Sequence, residues 1–90
     1  MTRKTVEVSM QEGLDTRPIA MLVQIASQYE STVYIEYDEK HVNAKSIMGM
    51  MTLALKNGDR VDVVTDGSDE AKAADGLSNY LEGLEVAVGQ

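Results

Sequence analysis

Apolar and polar residues alternate through Thr5-Val6-Glu7-Val8-Ser9-Met10, the period of a strand with one buried face, and Gly13 breaks the run. Thr16 follows at a helix N-cap position, with Pro18 in the first turn, where its missing N–H leaves no bond unmade. Ile19, Leu22, Val23 and Ala26 recur at helical spacing, which predicts an amphipathic helix over roughly Thr16–Gln28. Met21 and Ile25 widen its apolar face, through deeper burial or as a patch meant for a partner. Val33, Ile35 and Tyr37 alternate with Tyr34 and Glu36 as a second strand, and the polar turn Asp38-Glu39-Lys40 returns the chain into a short strand, His41–Ala44.

Ser46 precedes Ile47, Met48, Met50, Met51 and Ala54, the pattern of a short helix with Ser46 as its cap and with Met50, Leu53 and Ala54 available for its buried side. Asn57-Gly58-Asp59 turns into a fourth strand, Arg60–Thr65, carrying Val61, Val63 and Val64. Asp66-Gly67-Ser68 turns again. Ala71, Ala74, Leu77, Ser78 and Leu81 then complete the chain as a helix closed near Gly83. The order β-α-β-β-α-β-α holds no repeat and no linker, so one domain over 1–90 is expected. A β-β hairpin in so short a chain favours an antiparallel sheet. The expected fold is α+β: an open-faced β-sandwich of four antiparallel strands with three helices on one face. Glu7, Glu36 and Asp62 would then lie on the uncovered face.

Composition narrows what such a domain can do. Its 90 residues, 43% of them apolar, suffice for one modest core. A net charge of −7 argues against direct contact with nucleic acid, because phosphate binding needs clustered Lys or Arg; an acidic surface more often serves solubility. With no cysteine there is neither a disulfide framework nor a thiolate metal site, as suits a reducing cytoplasm. No apolar run reaches the ~18 residues of a membrane span, and Met1–Val6 lacks a signal peptide's apolar stretch. A soluble, cytoplasmic protein without membrane contact is expected. Asp66-Gly67-Ser68-Asp69-Glu70 lacks the alternating ligands and closing glutamate of a calcium loop and reads as a turn and helix cap. His41 reads as a solvated turn residue. No cofactor or metal is implied, and a small-molecule module would need an apolar pocket that a sandwich of this size has little room to supply.

Two segments resemble one family. Gly13-Leu14-Asp15-Thr16-Arg17-Pro18 resembles the Gly-Ile-His-Ala-Arg-Pro loop of HPr, the phosphocarrier of the sugar phosphotransferase system. Val42-Asn43-Ala44-Lys45-Ser46-Ile47-Met48-Gly49 resembles the regulatory-serine segment of the same family almost residue for residue. The first segment departs where the phosphocarrier accepts phosphate, for Asp15 stands in place of the histidine. In this the chain is similar to the Crh-like branch, the catabolite-repression HPr-like proteins, which lack the histidine and keep the serine. That resemblance implies a regulator of carbon catabolite repression rather than an enzyme: a phosphoprotein modified on Ser46 by HPr kinase/phosphorylase. The same resemblance implies that the phosphoprotein acts as corepressor of the LacI-type transcription regulator catabolite control protein A. The alternative is an HPr phosphocarrier with a natural or engineered change at position 15.

Read from the residues alone, Ser46 is a helix cap; the resemblance makes it a phosphorylation site as well, and the two roles are compatible. The resemblance also brings Arg17 near phospho-Ser46, where a guanidinium fork suits a phosphate. It further implies that Ile47, Met48 and Met51, bordered by Ala20, Met21 and Gln24 of the first helix, form an exposed apolar docking patch. Asp15 admits three readings: a residue favourable to the helix dipole, an aspartyl-phosphate site, or a fixed charge imitating phosphohistidine. The second lacks the extra acidic residues that Mg²⁺ needs, since the loop offers only Glu12. The terminal strand could pair with or exchange into another copy, leaving monomer and homodimer both open.

Overall fold

The computed structural model describes residues 1–9 and 16–83. Seven elements follow the expected order: β1 (Thr2–Glu7), α1 (Thr16–Ser27), β2 (Thr32–Tyr37), β3 (Lys40–Asn43), α2 (Ile47–Met51), β4 (Arg60–Asp66) and α3 (Glu70–Leu81). The strands form one antiparallel sheet in the order β1-β4-β2-β3. Because side chains alternate along each strand, Val6, Val33, Ile35, Val61 and Val63 all point to the helix side. There they bury against Ile19, Leu22, Ile25 and Ala26 of α1 and Ala73, Leu77 and Leu81 of α3. Ile25 therefore widens the face of α1 through burial, while Met21 stays half-buried.

β1 runs Thr2–Glu7 rather than Thr5–Met10, so it begins earlier and stops before Val8 and Ser9; Met10 itself and the break at Gly13 lie outside the described residues. The hydrophobic pattern misses this start because the helix-side positions there are polar and find partners on α3. Thr2 Oγ1 donates to Glu70 at 2.7 Å, and Lys4 Nζ reaches Asp75 at 2.9 Å. In α2 the helix stops sooner than the apolar spacing suggests. Met50 and Leu53 are buried, but Ala54 is exposed with φ of +52° and turns the chain away, so Leu55 fills the core instead. In α3, Ala71 faces solvent and Ala73 takes the buried place; Gly83, at φ +80°, ends the helix where expected.

The uncovered face is polar, with Glu36 and Asp62 as predicted, and its charges are paired. Arg3 Nη1 donates to Glu36 Oε1 and to Asp62 Oδ2, each at 2.7 Å, and Thr5 Oγ1 donates to Asp62 Oδ1 at 2.6 Å. His41 lies on β3 rather than in the turn. Its Nδ1 stands 2.9 Å from Glu36 Oε2 and its ring stacks on Tyr34 at 4.3 Å. An open hollow of about 590 Å³ beside these residues is lined largely by charged side chains, including Glu36, Asp38, Lys40 and Arg60.

The turn before α3 does not cap the helix through Asp69, as the sequence suggests. The Asp69 carboxylate instead reaches across to the loop before β2. There it accepts from the buried Ser31 hydroxyl, from Ser31 N at 2.9 Å and from Glu30 N at 3.0 Å. The Ser31 hydroxyl holds Asp69 at about 2, with the Glu30 N–H second; the Met1 ammonium, then the Thr2 hydroxyl, hold Glu70 at about 2. Both values lie below the ordinary 3.8 and 4.5, so these contacts stabilise the fold fully above that range and lose their effect as pH falls from there towards about 2. Acid unfolding followed by circular dichroism should therefore fall within that window. Asp69→Asn should lower stability at neutral pH and flatten its acid dependence; an unchanged acid limb would contradict the assignment.

Candidate functional site

Ser46 ends the loop between β3 and α2, and its position follows from three local bonds and one tie to the sheet. Asn43 Oδ1 accepts from Lys45 N at 2.8 Å and Asn43 O from Ser46 N at 3.0 Å, forming a side-chain-supported turn. Ala44, fully buried, donates its N–H to Val33 O at 2.8 Å, anchoring that turn to the sheet. Ser46 then takes an extended backbone (φ −110°, ψ 112°), and its Oγ accepts from Gly49 N at 3.2 Å as the N-cap of α2. The hydroxyl is exposed.

Two lysines hold this unit to its neighbours. Lys45 Nζ donates to Tyr29 O, just beyond α1, at 2.7 Å, and Lys40 Nζ to Thr52 O, just beyond α2, at 3.3 Å. Carbonyls at helix ends lack intrahelical partners, so an ammonium there satisfies an acceptor and complements the local negative potential. Neither lysine, nor Asn43, stands out in the sequence as a site residue. The lysines' partners are distant backbone oxygens, and Asn43 bonds only two residues on, to Lys45 N.

Met50 faces inward at 1% exposure, whereas Ile47, Met48 and Met51 are 40%, 78% and 50% exposed. Apart from Met1, these three are the exposed large hydrophobic residues among those described. Single exposed apolar residues are ordinary, but three on one five-residue helix make a continuous apolar surface. α1 packs alongside α2, with Ala20 and Gln24 exposed and Met21 half-buried on it. Arg17 falls in the first turn of α1; its side chain, like Asp15 as a whole, lies outside the described residues. No group of three or more His, Asp or Glu side chains that could hold a metal comes together among the described residues. No helix among them is long and apolar enough to cross a membrane.

The site is thus a serine at a helix cap, flanked by exposed apolar side chains, on an open-faced α+β sandwich. The family model described as the PTS HPr component phosphorylation site matches residues 2–83, and the chain belongs to the HPr family. Among curated relatives it is 45% identical over 82 residues to the HPr-like protein Crh of Halalkalibacterium halodurans, covering 91% of this chain and 98% of that one. The crystal structure of the phosphocarrier HPr of Bacillus anthracis superposes with a TM-score of 0.86 at 44% identity, covering 89% and 95% of the two chains. Crh of Bacillus subtilis, crystallised as a domain-swapped dimer, superposes with a TM-score of 0.77 at 42% identity, covering 96% and 99%. The chain is thus an HPr-like protein with Crh among its relatives, and the fold is the one expected from its element order.

Proposed function

We propose that residues 1–90 form a single HPr-like domain acting as a Crh-like, non-enzymatic regulator of carbon catabolite repression in the cytoplasm. In this reading HPr kinase/phosphorylase phosphorylates Ser46, and the phosphoprotein docks on the LacI-type regulator catabolite control protein A as its corepressor. The observation that carries it is the exposed Ser46 hydroxyl at the cap of α2, on the same short helix as the solvent-facing Ile47, Met48 and Met51. A phosphate on that oxygen adds nearly two negative charges beside the first-turn N–H groups, where it can be held without rebuilding the fold. Arg17 would read the phosphate, and Ala20, Met21 and Gln24 would complete the apolar contact. With Asp15 in place of histidine, the domain would not pass phosphate to sugars.

The domain-swapped dimer of the Bacillus subtilis relative, together with a β1 strand at the sheet edge here, supports a homodimer as a second state of this chain. The resemblance to phosphocarriers favours one alternative, transfer from enzyme I and phosphoenolpyruvate, which would leave acid-labile or hydroxylamine-sensitive label on the protein.

HPr kinase and ATP should label the wild-type protein and leave Ser46→Ala unlabelled. That variant loses its cap at a cost of about 1 kcal/mol and should remain folded. Equal labelling of both proteins would overturn the assignment of Ser46.

A further inference from the structure

The three methionines of α2 sit in contrasting surroundings. Met48 and Met51 are 78% and 50% exposed, while Met50 between them is 1% exposed and packed in the core. A thioether in contact with water is open to two-electron oxidants, and one enclosed by packed side chains is not. We propose that Met48 and Met51 form a methionine-oxidation site, at which hydrogen peroxide converts the apolar surface beside Ser46 into a polar one. The loss of docking that follows rests on the function proposed above; the oxidation itself does not.

In the step, a sulfur lone pair attacks one peroxide oxygen, so that an S–O bond forms as the O–O bond breaks. The proton on the transferred oxygen passes to the departing hydroxide, which leaves as water. The sulfur is oxidised by two electrons and the peroxide reduced by the same two. The product is a sulfoxide, a dipolar acceptor where a soft apolar group had been.

Geometry separates this change from unfolding. Met50 joins α2 to the core, so oxygen added at Met48 and Met51 falls on side chains that already meet solvent. The bond from Gly49 N to Ser46 Oγ involves neither thioether. Oxidation therefore leaves the fold and the serine hydroxyl in place and makes two of the three exposed apolar side chains of α2 polar, Ile47 staying apolar. Methionine sulfoxide reductases can reverse it.

The test treats the folded protein with dilute hydrogen peroxide and follows each methionine by tandem mass spectrometry. Met48 and Met51 should take up oxygen at least roughly tenfold faster than Met50, with the 77% exposed Met1 as a reactive reference. Met50 reacting as fast as Met48 and Met51 would overturn the proposal. A variant combining Met48→Leu and Met51→Leu keeps the patch apolar without a thioether. Peroxide should shorten retention of the wild type on a hydrophobic-interaction column and leave most of the variant's retention intact; equal losses would overturn the proposal. In a third measurement, oxidation of the Ser46-phosphorylated wild type should weaken binding to the proposed regulator by about tenfold or more. If the unoxidised phosphoprotein does not bind at all, the docking function fails, while the mass spectra and the column still decide the oxidation site.

Discussion

Met48→Glu combined with Met51→Asp is expected to abolish detectable binding of the Ser46-phosphorylated protein to catabolite control protein A while leaving its stability within about 0.5 kcal/mol of wild type. The two halves of that expectation have separate causes. Met48 and Met51 already meet water, so a charge there need not be buried in the free protein. In a complex, the same positions would press a carboxylate against the partner's apolar surface, and an unpaired charge taken out of water costs several kcal/mol. Each 1.4 kcal/mol is tenfold in affinity, so even one such carboxylate would weaken the complex by roughly 100-fold or more. Titration calorimetry measures the binding and urea denaturation the stability. A variant that binds as wild type does would remove these residues from the interface, and one that unfolds would mean that the helix carries more of the core than Met50 alone.

Gly67→Ala has the largest effect expected on the fold itself. Gly67 adopts φ of +152°, and a Cβ placed there would stand 2.6 Å from Ser31 Oγ and 2.7 Å from Ser31 Cα. Ser31 is buried and holds the Asp69 carboxylate, so neither its backbone nor its hydroxyl can retreat without opening that knot. Steric overpacking and backbone strain together should cost roughly 2–5 kcal/mol. That is a large share of the 5–15 kcal/mol that keeps a domain of this kind folded, and it should lower Tm by roughly 10–40 °C. Gly58→Ala is the matched control. Gly58 has φ of +95° but nothing within 4 Å of a built Cβ, so only backbone strain of about 1 kcal/mol remains. Thermal unfolding of the two variants that differed little from each other would contradict the steric argument.

The two periods of the sequence, 2 in the strands and 3.6 in the helices, made the fold legible because the core lies between one sheet face and the helices. Val33, Ile35, Leu22 and Leu77 read correctly for that reason. Misread positions are those settled by contacts far along the chain. Lys4 and Thr2 lie on the helix side of β1 because Asp75 and Glu70 wait there, 71 and 68 residues later. Asp69 serves Ser31, 38 residues earlier, instead of its own helix. Ala54 leaves α2 through a left-handed turn that no glycine announces. At the site, the serine cap was legible from Ser46 and the helical run after it. The inward turn of Met50 against the outward Met48 and Met51 was partly so. The ties made by Lys45 and Lys40 to the backbone oxygens of Tyr29 and Thr52 were not, since any surface lysine reads alike in one dimension.

The central claim is that phosphate on Ser46 switches docking. Its most direct test measures the affinity of catabolite control protein A for the unphosphorylated protein, for the protein phosphorylated by HPr kinase/phosphorylase, and for Ser46→Ala carried through the same kinase treatment. Two charge-assisted hydrogen bonds to a serine phosphate, at about 1.5–3 kcal/mol each, predict tighter binding of the phosphorylated protein by roughly 100-fold or more. The unphosphorylated protein and the alanine variant should be alike and weak. Equal affinity of all three forms, or no binding by the phosphorylated one, would contradict the account.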